Sequence, residues 1–468
     1  MTEQSINYEE LGFKAGLEIH QQLEGKKLFC NCKTVIRKDK PHFSFKRQLR
    51  ASAGESGQVD KAALHELEKS KEFEYLAYHD TTCLVETDDE PPHEVNKAAI
   101  IEALKLAKLL NMKVVDCIQF MRKTVIDGSN TSGFQRTALI AKNGYIEVEN
   151  KKIRIESLCL EEESAQVIKR TKTKDTYNIS RLGIPLLEIA TAPDIKSPEE
   201  CKLVAKKLGM FLRSIDVKRG LGSIRQDVNV SIKGGARTEV KGFQDYRNIP
   251  KVIDFEIKRQ LSLIKQKKKV ESGVRKAEAD FSTTYLRPMP GADRMYPETD
   301  VEVIIPNFKV KIPETLEEQI KRYQKEYSLS KDQATLAVKN NDDFEELFKK
   351  YKKLDAGIIV DVLLMKAKDV ERKEGLLKHL VVDELLSNLE KQKISISSVP
   401  DILVESTKKK IDYSKYEALD DNEVEKIVKK VISENKGAPM GALMGKAMSA
   451  LKGKADGKKV AMLVNKLK

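Results

Sequence analysis

The spacing of apolar residues changes once along the chain, near residues 304–314, and this change separates two kinds of structure. Before it, short apolar runs punctuated by Gly and Pro predict strands. The clearest of these runs are 113–120, 145–160, 185–192 and 226–232. One helix is predicted over 94–110, and another begins at the capping pattern that starts with Ser197. Because strands dominate without regular crossovers, this part of the sequence predicts an α+β fold with a mostly antiparallel sheet.

Beyond residue 314 the sequence is charged and helix-periodic, with short connections, which predicts a helical bundle. We therefore expect an α+β domain at 1–312, an all-α helical domain at 313–395 and a small helical tail domain at 396–468. Two apolar stripes at helical spacing lie in the tail, and the second is rich in Met. A Met stripe at this spacing is more often core than a cofactor contact, so both stripes are interpreted as core.

Composition excludes several classes of protein. No run approaches the ~20 apolar residues of a membrane span, and the first residues lack the basic and apolar regions of a secretory signal. The six Cys are scattered, which fits reduced thiols or a metal site in a cytoplasmic protein. The net charge is +13, and residues 436–468 hold eight Lys against one acid. This basic segment is interpreted either as a surface for a polyanion such as nucleic acid or as a solvated terminus.

Acidic residues mark three places where a cation could bind. In GLEIH, Glu18 and His20 are two apart, so in a strand they face the same side and could share a cation; an ordinary polar strand face is the alternative. Three adjacent acids at 161–163 repel one another unless solvent or a cation offsets the charge. Glu188 interrupts an apolar strand, where an acid is costly to bury unless it is paired or metal-bound.

Cationic and small polar residues accompany these acids. Arg122 and Lys123 precede the loop at 127–137, whose small donors could cradle phosphates, although the P-loop pattern is absent. Similar alternating or clustered polar residues are Arg225, Asp227, Asn229, Glu239, Lys241, Arg287 and Tyr296. Together with the acids they predict a single cleft suited to a metal–nucleotide pair.

Six ordered motifs and the C-terminal segment carry a resemblance to a known family. They are GLEIHQQL, RKTVIDGSNTSGFQRT, CLEEESA, LGIPLLEIATAPDI, KRGLGSIRQDVNVSI, YLRPMPGADRMYPETD and PMGALMGKAMSALKGKADGKKVAMLV. Over nearly the whole chain the sequence resembles the GatB/GatE family of tRNA-dependent amidotransferase subunits. It looks more like the archaeal GatE branch than the GatB branch, and its end is similar to the YqeY-like tail of the family.

The resemblance implies a function. In this family the first domain, here residues 1–312, is a kinase-like catalytic domain called the cradle. It uses ATP and Mg²⁺ to phosphorylate the γ-carboxylate of glutamate on Glu-tRNA(Gln), and ammonia then displaces the phosphate. An asparaginase-like partner, the D-type subunit, supplies the ammonia in a heterotetramer of two D-type and two E-type subunits, while the helical and tail domains hold the tRNA. The implied Mg²⁺ ligands are Glu18, His20, Glu162 and Glu188, with the choice within 161–163 open by one position. The implied nucleotide and phosphate residues are Arg122, Lys123, Ser132, Gln135, Arg225, Asp227, Lys241, Arg287 and Tyr296.

The sequence departs from the family pattern in two places. GatE proteins normally carry an inserted domain similar to one of bacterial aspartyl-tRNA synthetases, but here Leu261 is joined to Tyr285 by a short polar segment, expected to form a hairpin-like loop or a short helix. Cys30, Cys32 and Cys83 stand where relatives hold zinc through four Cys, and the fourth Cys is missing. Either Asp80 or His79 completes a Zn²⁺ site, or the three thiols bind no metal.

Two alternatives to a GatE protein remain open from the sequence. One is a GatB protein that works with an amidase partner and also acts on Asp-tRNA(Asn). The other is a non-catalytic tRNA-binding scaffold.

Overall fold

The chain forms two compact units, residues Met1–Thr315 and Leu316–Lys468. The structure is a computed structural model that describes residues 6–50, 57, 59, 71–289, 295–340, 344–375, 379–451 and 453–467. The further division of the second unit into helical and tail domains stays a prediction.

Strands build most of the first unit. They are β1 Lys14–Gln22, β2 Phe43–Arg47, β3 Glu72–Ala77, β4 Lys113–Val114, β5 Phe120–Thr124, β6 Phe134–Val148, β7 Lys151–Glu162, β8 Gln166–Arg170, β9 Lys174–Asn178, β10 Pro185–Thr191, β11 Ile224–Ser231, β12 Thr238–Phe243, β13 Gly273–Ala277, β14 Thr283–Arg287 and β15 Met295–Pro297.

The large sheet has the order β14-β13-β12-β11-β1-β10-β7-β6-β5-β15, with β4 paired to β6. Its pairings along this order are antiparallel except that of β12 with β13. A smaller sheet has the order β2-β3-β9-β8. The mostly antiparallel α+β architecture predicted from the sequence is therefore confirmed.

Helices cover one face of the large sheet. They are α1 Leu84–Thr87, α2 Lys97–Leu109, α3 Pro198–Leu212 and α4 Ile249–Lys265. Ser197 caps α3 as predicted, because its Oγ accepts the Glu200 backbone N–H at 3.1 Å. Alternate residues of β1, such as Leu17 and Ile19, are buried in the same core as these helices. The residues between them, including Glu18, therefore face the opposite side of the sheet.

Two predicted strands have different limits in the structure. The run at 113–120 is split between β4 and β5. The run at 145–160 contains a hairpin turn, because Glu149 and Asn150 both adopt positive φ between β6 and β7. Asn150 tolerates positive φ, but no Gly follows it, so the turn lacks the Asn-Gly pattern that most strongly predicts a hairpin. The strands predicted at 185–192 and 226–232 are confirmed as β10 and β11.

The short join between Leu261 and Tyr285 forms the β13–β14 hairpin, one of the two expected forms. Glu256 of α4 anchors it by accepting the Thr283 hydroxyl at 3.0 Å, and the Arg275 Nε lies 3.4 Å from the same carboxylate. The hairpin thus extends the large sheet and is tied to a helix of the core.

The second unit is helical. Its helices are α5 Leu316–Glu326, α6 Lys331–Asn340, α7 Phe344–Lys350, α8 Ala356–Val360, α9 Ala367–Glu374, α10 His379–Glu390, α11 Val399–Lys408, α12 Asp421–Glu434, α13 Met440–Leu451 and α14 Gly457–Leu467, with a π-helical stretch Asp361–Lys366 between α8 and α9. The last three pack around one small core that includes Val428, Ala447 and Val464. The two apolar stripes of the tail are core, as predicted. Of the helices within the described residues, none combines the length and apolar character required to cross a bilayer.

Candidate active site

The open face of the large sheet carries a cavity of about 790 Å³. Register explains which side chains converge there: His20 pairs with Glu188 across β1 and β10, and Glu188 pairs with Cys159 of β7. One row further along, Glu161 of β7 pairs with Thr137 of β6. All five residues line the cavity. The central strands thus bring together residues that lie far apart in the sequence.

The first acidic group consists of His20, Glu161 and Glu188, whose ligand atoms all lie within 4.8 Å of one another. His20 Nε2 is 3.2 Å from Glu188 Oε2, and Lys123 Nζ is 2.5 Å from Glu161 Oε1. Burial alone would raise the pKa of Glu188, but Lys123 and His20 lower it well below its usual range. Burial disfavours charge on His20, yet Glu188 and nearby acids raise its pKa. The group therefore favours an ionised Glu188 beside cations.

The second acidic group consists of Glu18, Asp227 and Glu239, again within 4.8 Å of one another. Lys241 Nζ lies 2.7 Å from Asp227 Oδ2 and also contacts Glu239, while Glu18 accepts a hydrogen bond from Asn229 at 2.8 Å. Burial and the Glu239 charge raise the pKa of Glu18. One lysine thus offsets three acids at this end of the cavity.

Glu162, one of the predicted Mg²⁺ ligands, is not part of the cavity lining. Successive residues of β7 point to opposite faces, so Glu161 enters the cavity while Glu162 points away from it. Arg136 donates to Glu162 Oε1 at 3.1 Å and to Glu298 Oε2 at 2.7 Å. Burial raises the pKa of Glu162. The acid that lies beside His20 and Glu188 is the neighbouring residue Glu161. The sequence had left the choice within 161–163 open by one position, and Glu161 is that alternative.

The predicted nucleotide-binding residues also fall into two groups, those that line the cavity and those that do not. Those that line the cavity are Lys123, Gln135, Arg225, Asp227, Lys241 and Arg287. Among the described residues, the lining leaves out Arg122, Ser132 and Tyr296. Arg122 donates to Glu298 at 2.5 Å because it alternates with Lys123 along β5. Tyr296 of β15 pairs with Arg122 of β5. The Ser132 hydroxyl donates to the Phe134 carbonyl at 3.0 Å.

Arg225 is held in place by a buried acid. Its two terminal nitrogens donate to the two oxygens of Glu163 at 2.7 and 2.9 Å. Burial would raise the pKa of Glu163, but Arg225 and Arg181 lower it to about 2. A bidentate pair of this kind fixes a guanidinium more firmly than a single contact. No local pattern in the sequence indicated this role for the third acid of the 161–163 run.

A separate cluster lies at the predicted cysteine site. The ligand atoms of Cys30, Cys32, Cys83 and Glu86 lie within 4.8 Å of one another. Glu86, three residues after the cap residue Cys83 at the start of α1, thus takes the position proposed for Asp80 or His79. Those two residues lie elsewhere. Asp80 accepts from Arg37 at 2.7 Å, and the His79 ring stacks on His42 with centroids 5.0 Å apart.

The cysteine cluster has a buried cation next to it. Lys27 Nζ is 3.6 Å from Glu86 Oε1, and Cys30 Sγ donates to the same oxygen at 2.9 Å. Hydrogen bonds from the other two thiols lower the pKa of Cys83 far below its usual range. Three thiols and one carboxylate form a donor set that suits tetrahedral zinc.

Comparison with known proteins shows the family of the chain. The profile of the GatB/GatE catalytic domain matches residues 13–310, and that of the GatB domain matches residues 342–467. The cleft-bearing sheet and the helical second unit therefore define a GatB/GatE-type protein, and the chain belongs to this family.

Several similar relatives are archaeal proteins named as glutamyl-tRNA(Gln) amidotransferase subunits of the E type. The chain is 39% identical to that of Methanococcus maripaludis, over 98% of both chains. It is 37% identical to that of Methanocaldococcus jannaschii, over 98% of this chain and 99% of the relative. It is 34% identical to that of Archaeoglobus fulgidus, over 98% of both. The first alignment spans 622 positions against 468 residues here, so that relative carries residues without a counterpart in this chain.

Proposed function

We propose that this chain is the GatE component of a tRNA-dependent amidotransferase, which activates the γ-carboxyl of glutamate carried by tRNA(Gln). One observation carries the proposal: a single sheet face gathers two acidic groups and the cations Lys123, Arg225, Lys241 and Arg287 around one cavity. Acids that hold a divalent cation, beside cations that hold phosphates, are the equipment of phosphoryl transfer. The names of the archaeal relatives supply the substrate class.

The chemistry needs activation because a carboxylate is a poor acyl donor. In the proposed sequence, a γ-carboxylate oxygen attacks the γ-phosphorus of ATP and ADP leaves, giving an acyl phosphate. Ammonia then attacks the carbonyl carbon, the carbon–oxygen bond to phosphate breaks, and the nitrogen loses a proton to give the amide. Neither step requires a nucleophilic side chain, so the task of the protein is positioning and charge neutralisation.

The residues of the first acidic group fit Mg²⁺. Among the described residues, His20 Nδ1 is buried and has no hydrogen-bond partner. Glu161 and Glu188 supply carboxylate oxygens beside it, and Glu18 lies on the same strand face two residues before His20. When bound there, Mg²⁺ would neutralise phosphate charge. Lys123 and the fixed guanidinium of Arg225 would orient the phosphates from the two sides of the group.

The remaining parts of the proposal follow from the family. Cys30, Cys32, Cys83 and Glu86 would hold Zn²⁺ in a structural role. The second unit, with its basic end, would hold the tRNA in the cytoplasm. An asparaginase-like partner would supply ammonia, in a heterotetramer of two D-type and two E-type subunits.

The test is ATP hydrolysis and Gln-tRNA(Gln) formation by the purified complex, with and without Glu-tRNA(Gln). We expect ADP formation to depend on Glu-tRNA(Gln), and amidation to proceed with either the partner or added ammonium. Co-purification with an amidase-type partner would instead support a GatB protein. Tight tRNA binding without any tRNA-dependent ADP formation would support a scaffold and contradict the proposed activity.

A further inference from the structure

Six exposed cations lie together at one edge of the large sheet, and we call them the basic rim. They are Lys233, Arg237, Lys265, Lys267, Lys268 and Lys269. The last four stand where α4 ends and the chain turns toward β13. Glu271 is the one acid between Lys265 and Gly273. Among the described residues, no carboxylate pairs with the amino groups of these four lysines, so their charge is not neutralised there.

The topology places the rim beside the cavity. β12 and β13 are parallel neighbours joined by α4, so the end of α4 returns to the edge where both strands begin. Gln260 of α4 holds this return in place, since its side chain donates to the Ala236 carbonyl at 3.1 Å and accepts the Ala236 N–H at 3.2 Å. The next residue in the chain, Arg237, lines the cavity. Lys265 is about 7.5 Å beyond Gln260 along the helix.

The other end of the lysine turn is also close to the cavity lining. Thr238, which follows Arg237, pairs with Gly273 of β13 across one strand spacing of about 5 Å. Lys269 is four residues before Gly273, a reach of at most ~14 Å. The lysines of the rim therefore lie within roughly 20 Å of Arg237. Over that length a double helix carries on the order of ten phosphates.

The backbone of the turn is strained at Lys267. The Lys267 N–H bonds to the Ile264 carbonyl at 2.9 Å, and the Lys268 N–H bonds to the Leu263 carbonyl at 2.9 Å. This Schellman pattern requires a residue in the left-handed conformation, usually Gly, and Lys267 adopts it with a φ of 56°. A lysine here costs backbone strain and adds repulsion between neighbouring like charges. Such a residue at a position that favours Gly points to a role for its side chain.

We propose that the basic rim binds backbone phosphates of the acceptor stem of the tRNA while the aminoacyl end occupies the cavity. The amino acid is attached to the 3′ end of the tRNA, so the RNA nearest the cavity belongs to the acceptor arm. Phosphate contacts of this kind position the RNA and carry no sequence information directly. The inference rests on the proposed action on Glu-tRNA(Gln). It adds a docking surface in the first unit, separate from the lysine-rich segment at 436–468.

The test is binding of Glu-tRNA(Gln) to the purified complex at several salt concentrations. In the rim variant, Lys265, Lys267, Lys268 and Lys269 are changed to Gln. Its Kd should rise at least ~10-fold, and its salt dependence should become shallower by roughly 0.7 to 0.9 per lost contact. A hairpin RNA with the sequence of the acceptor stem alone, used as a competitor, should lose affinity by a similar factor. At saturating tRNA the kcat for amidation should stay within about twofold of the wild type.

Two further variants separate charge from structure. Changing the same four lysines to Arg should retain the wild-type affinity, since Arg also binds phosphates. Lys267→Gly should raise the Kd about threefold and leave the melting temperature equal or higher, because Gly adopts this conformation without strain. The matched control removes four exposed lysines elsewhere in the first unit and should keep the wild-type affinity. Its positions are Lys38, Lys113, Lys169 and Lys172, each changed to Gln.

An unchanged affinity and salt dependence in the rim variant would overturn the proposal. An equal loss in the control variant would do the same, because the effect would then come from net charge. If the rim variant weakens binding of the whole tRNA but not of the acceptor hairpin, the assignment to the acceptor stem is wrong. A wild-type complex that binds Glu-tRNA(Gln) but forms no Gln-tRNA(Gln) would refute the proposed function, while the binding measurements would still decide the role of the rim.

Discussion

Glu161 and Glu162 are neighbours in the chain, yet their carboxylates lie on opposite faces of the large sheet. Glu161 accepts from Lys123 at 2.5 Å in the cavity, whereas Glu162 accepts from Arg136 at 3.1 Å behind it. The same substitution at the two positions should therefore have different consequences.

Glu161→Gln should lower the rate of ATP-dependent activation at least ~100-fold with little change in stability, because it removes a proposed metal ligand. Glu162→Gln should lower the free energy of unfolding by about 1–3 kcal/mol, because Arg136 loses the charge of one buried partner. Single-turnover kinetics and thermal unfolding of both variants measure the two effects. If Glu162→Gln instead lowers the activation rate and Glu161→Gln lowers the stability, Glu162 would be the metal ligand.

Glu188→Gln should abolish ATP-dependent activation while leaving tRNA binding nearly unchanged. The reason is that its carboxylate lies within 4.8 Å of His20 and Glu161 on the cavity face. Rapid-quench measurement of γ-phosphoryl transfer and a filter-binding assay with Glu-tRNA(Gln) separate the two properties. Near-wild-type phosphoryl transfer would exclude Glu188 from the reaction.

Glu256 should make the stability of the first unit depend on pH. Burial would raise the pKa of Glu256, but Arg259, Gln260 and Thr283 lower it. A lowered folded-state pKa gives stability that is present above the unfolded-state value and is lost as the pH falls toward the folded-state value. Unfolding by denaturant should therefore show a loss below about pH 5 that Glu256→Gln reduces. If Glu256→Gln has the same pH profile of stability as the wild type, this carboxylate contributes nothing to the pH dependence of stability.

The cysteine cluster should hold about one Zn²⁺ per chain. Cys83→Ser should lower the zinc content measured by plasma mass spectrometry, and a strong chelator should lower the melting temperature of the wild type. Cys117→Ser is the control, since Cys117 is an exposed free thiol outside the cluster. If the wild type contains no zinc and the chelator does not change its melting temperature, the cluster holds no metal. The Lys27–Glu86 ion pair would then be what stabilises this site.

The lysine-rich segment at 436–468 should contribute to tRNA binding through phosphate contacts. A variant with four tail lysines changed to Gln should show a shallower salt dependence of tRNA affinity, by roughly 0.7 to 0.9 per lost contact. The four positions are Lys436, Lys446, Lys454 and Lys458. A control variant changes four exposed lysines in the first unit. Its positions are Lys38, Lys113, Lys169 and Lys172. If the tRNA affinity of the tail variant has the same salt dependence as that of the wild type, these lysines do not contact the tRNA. The segment at 436–468 would then be only a solvated terminus.

Sequence periodicity located most of the scaffold, because β10, β11 and the capped start of α3 depend on local patterns. It could not choose between Glu161 and Glu162, since the choice depends on strand register against β6 and β10, a property of the folded sheet. Glu86 was missed for a similar reason. A carboxylate three residues after Cys83 is typical of an ordinary helix cap, and only the folded chain brings it to Cys30 and Cys32.

The β13–β14 hairpin closes the sheet at its edge, and its turn at 278–282 lies at the opposite end of β14 from Arg287. The cradle can therefore accept or lose a folded module at this point without rebuilding its core. The same turn should serve as an attachment point for a fluorescent reporter domain whose signal reports on tRNA docking.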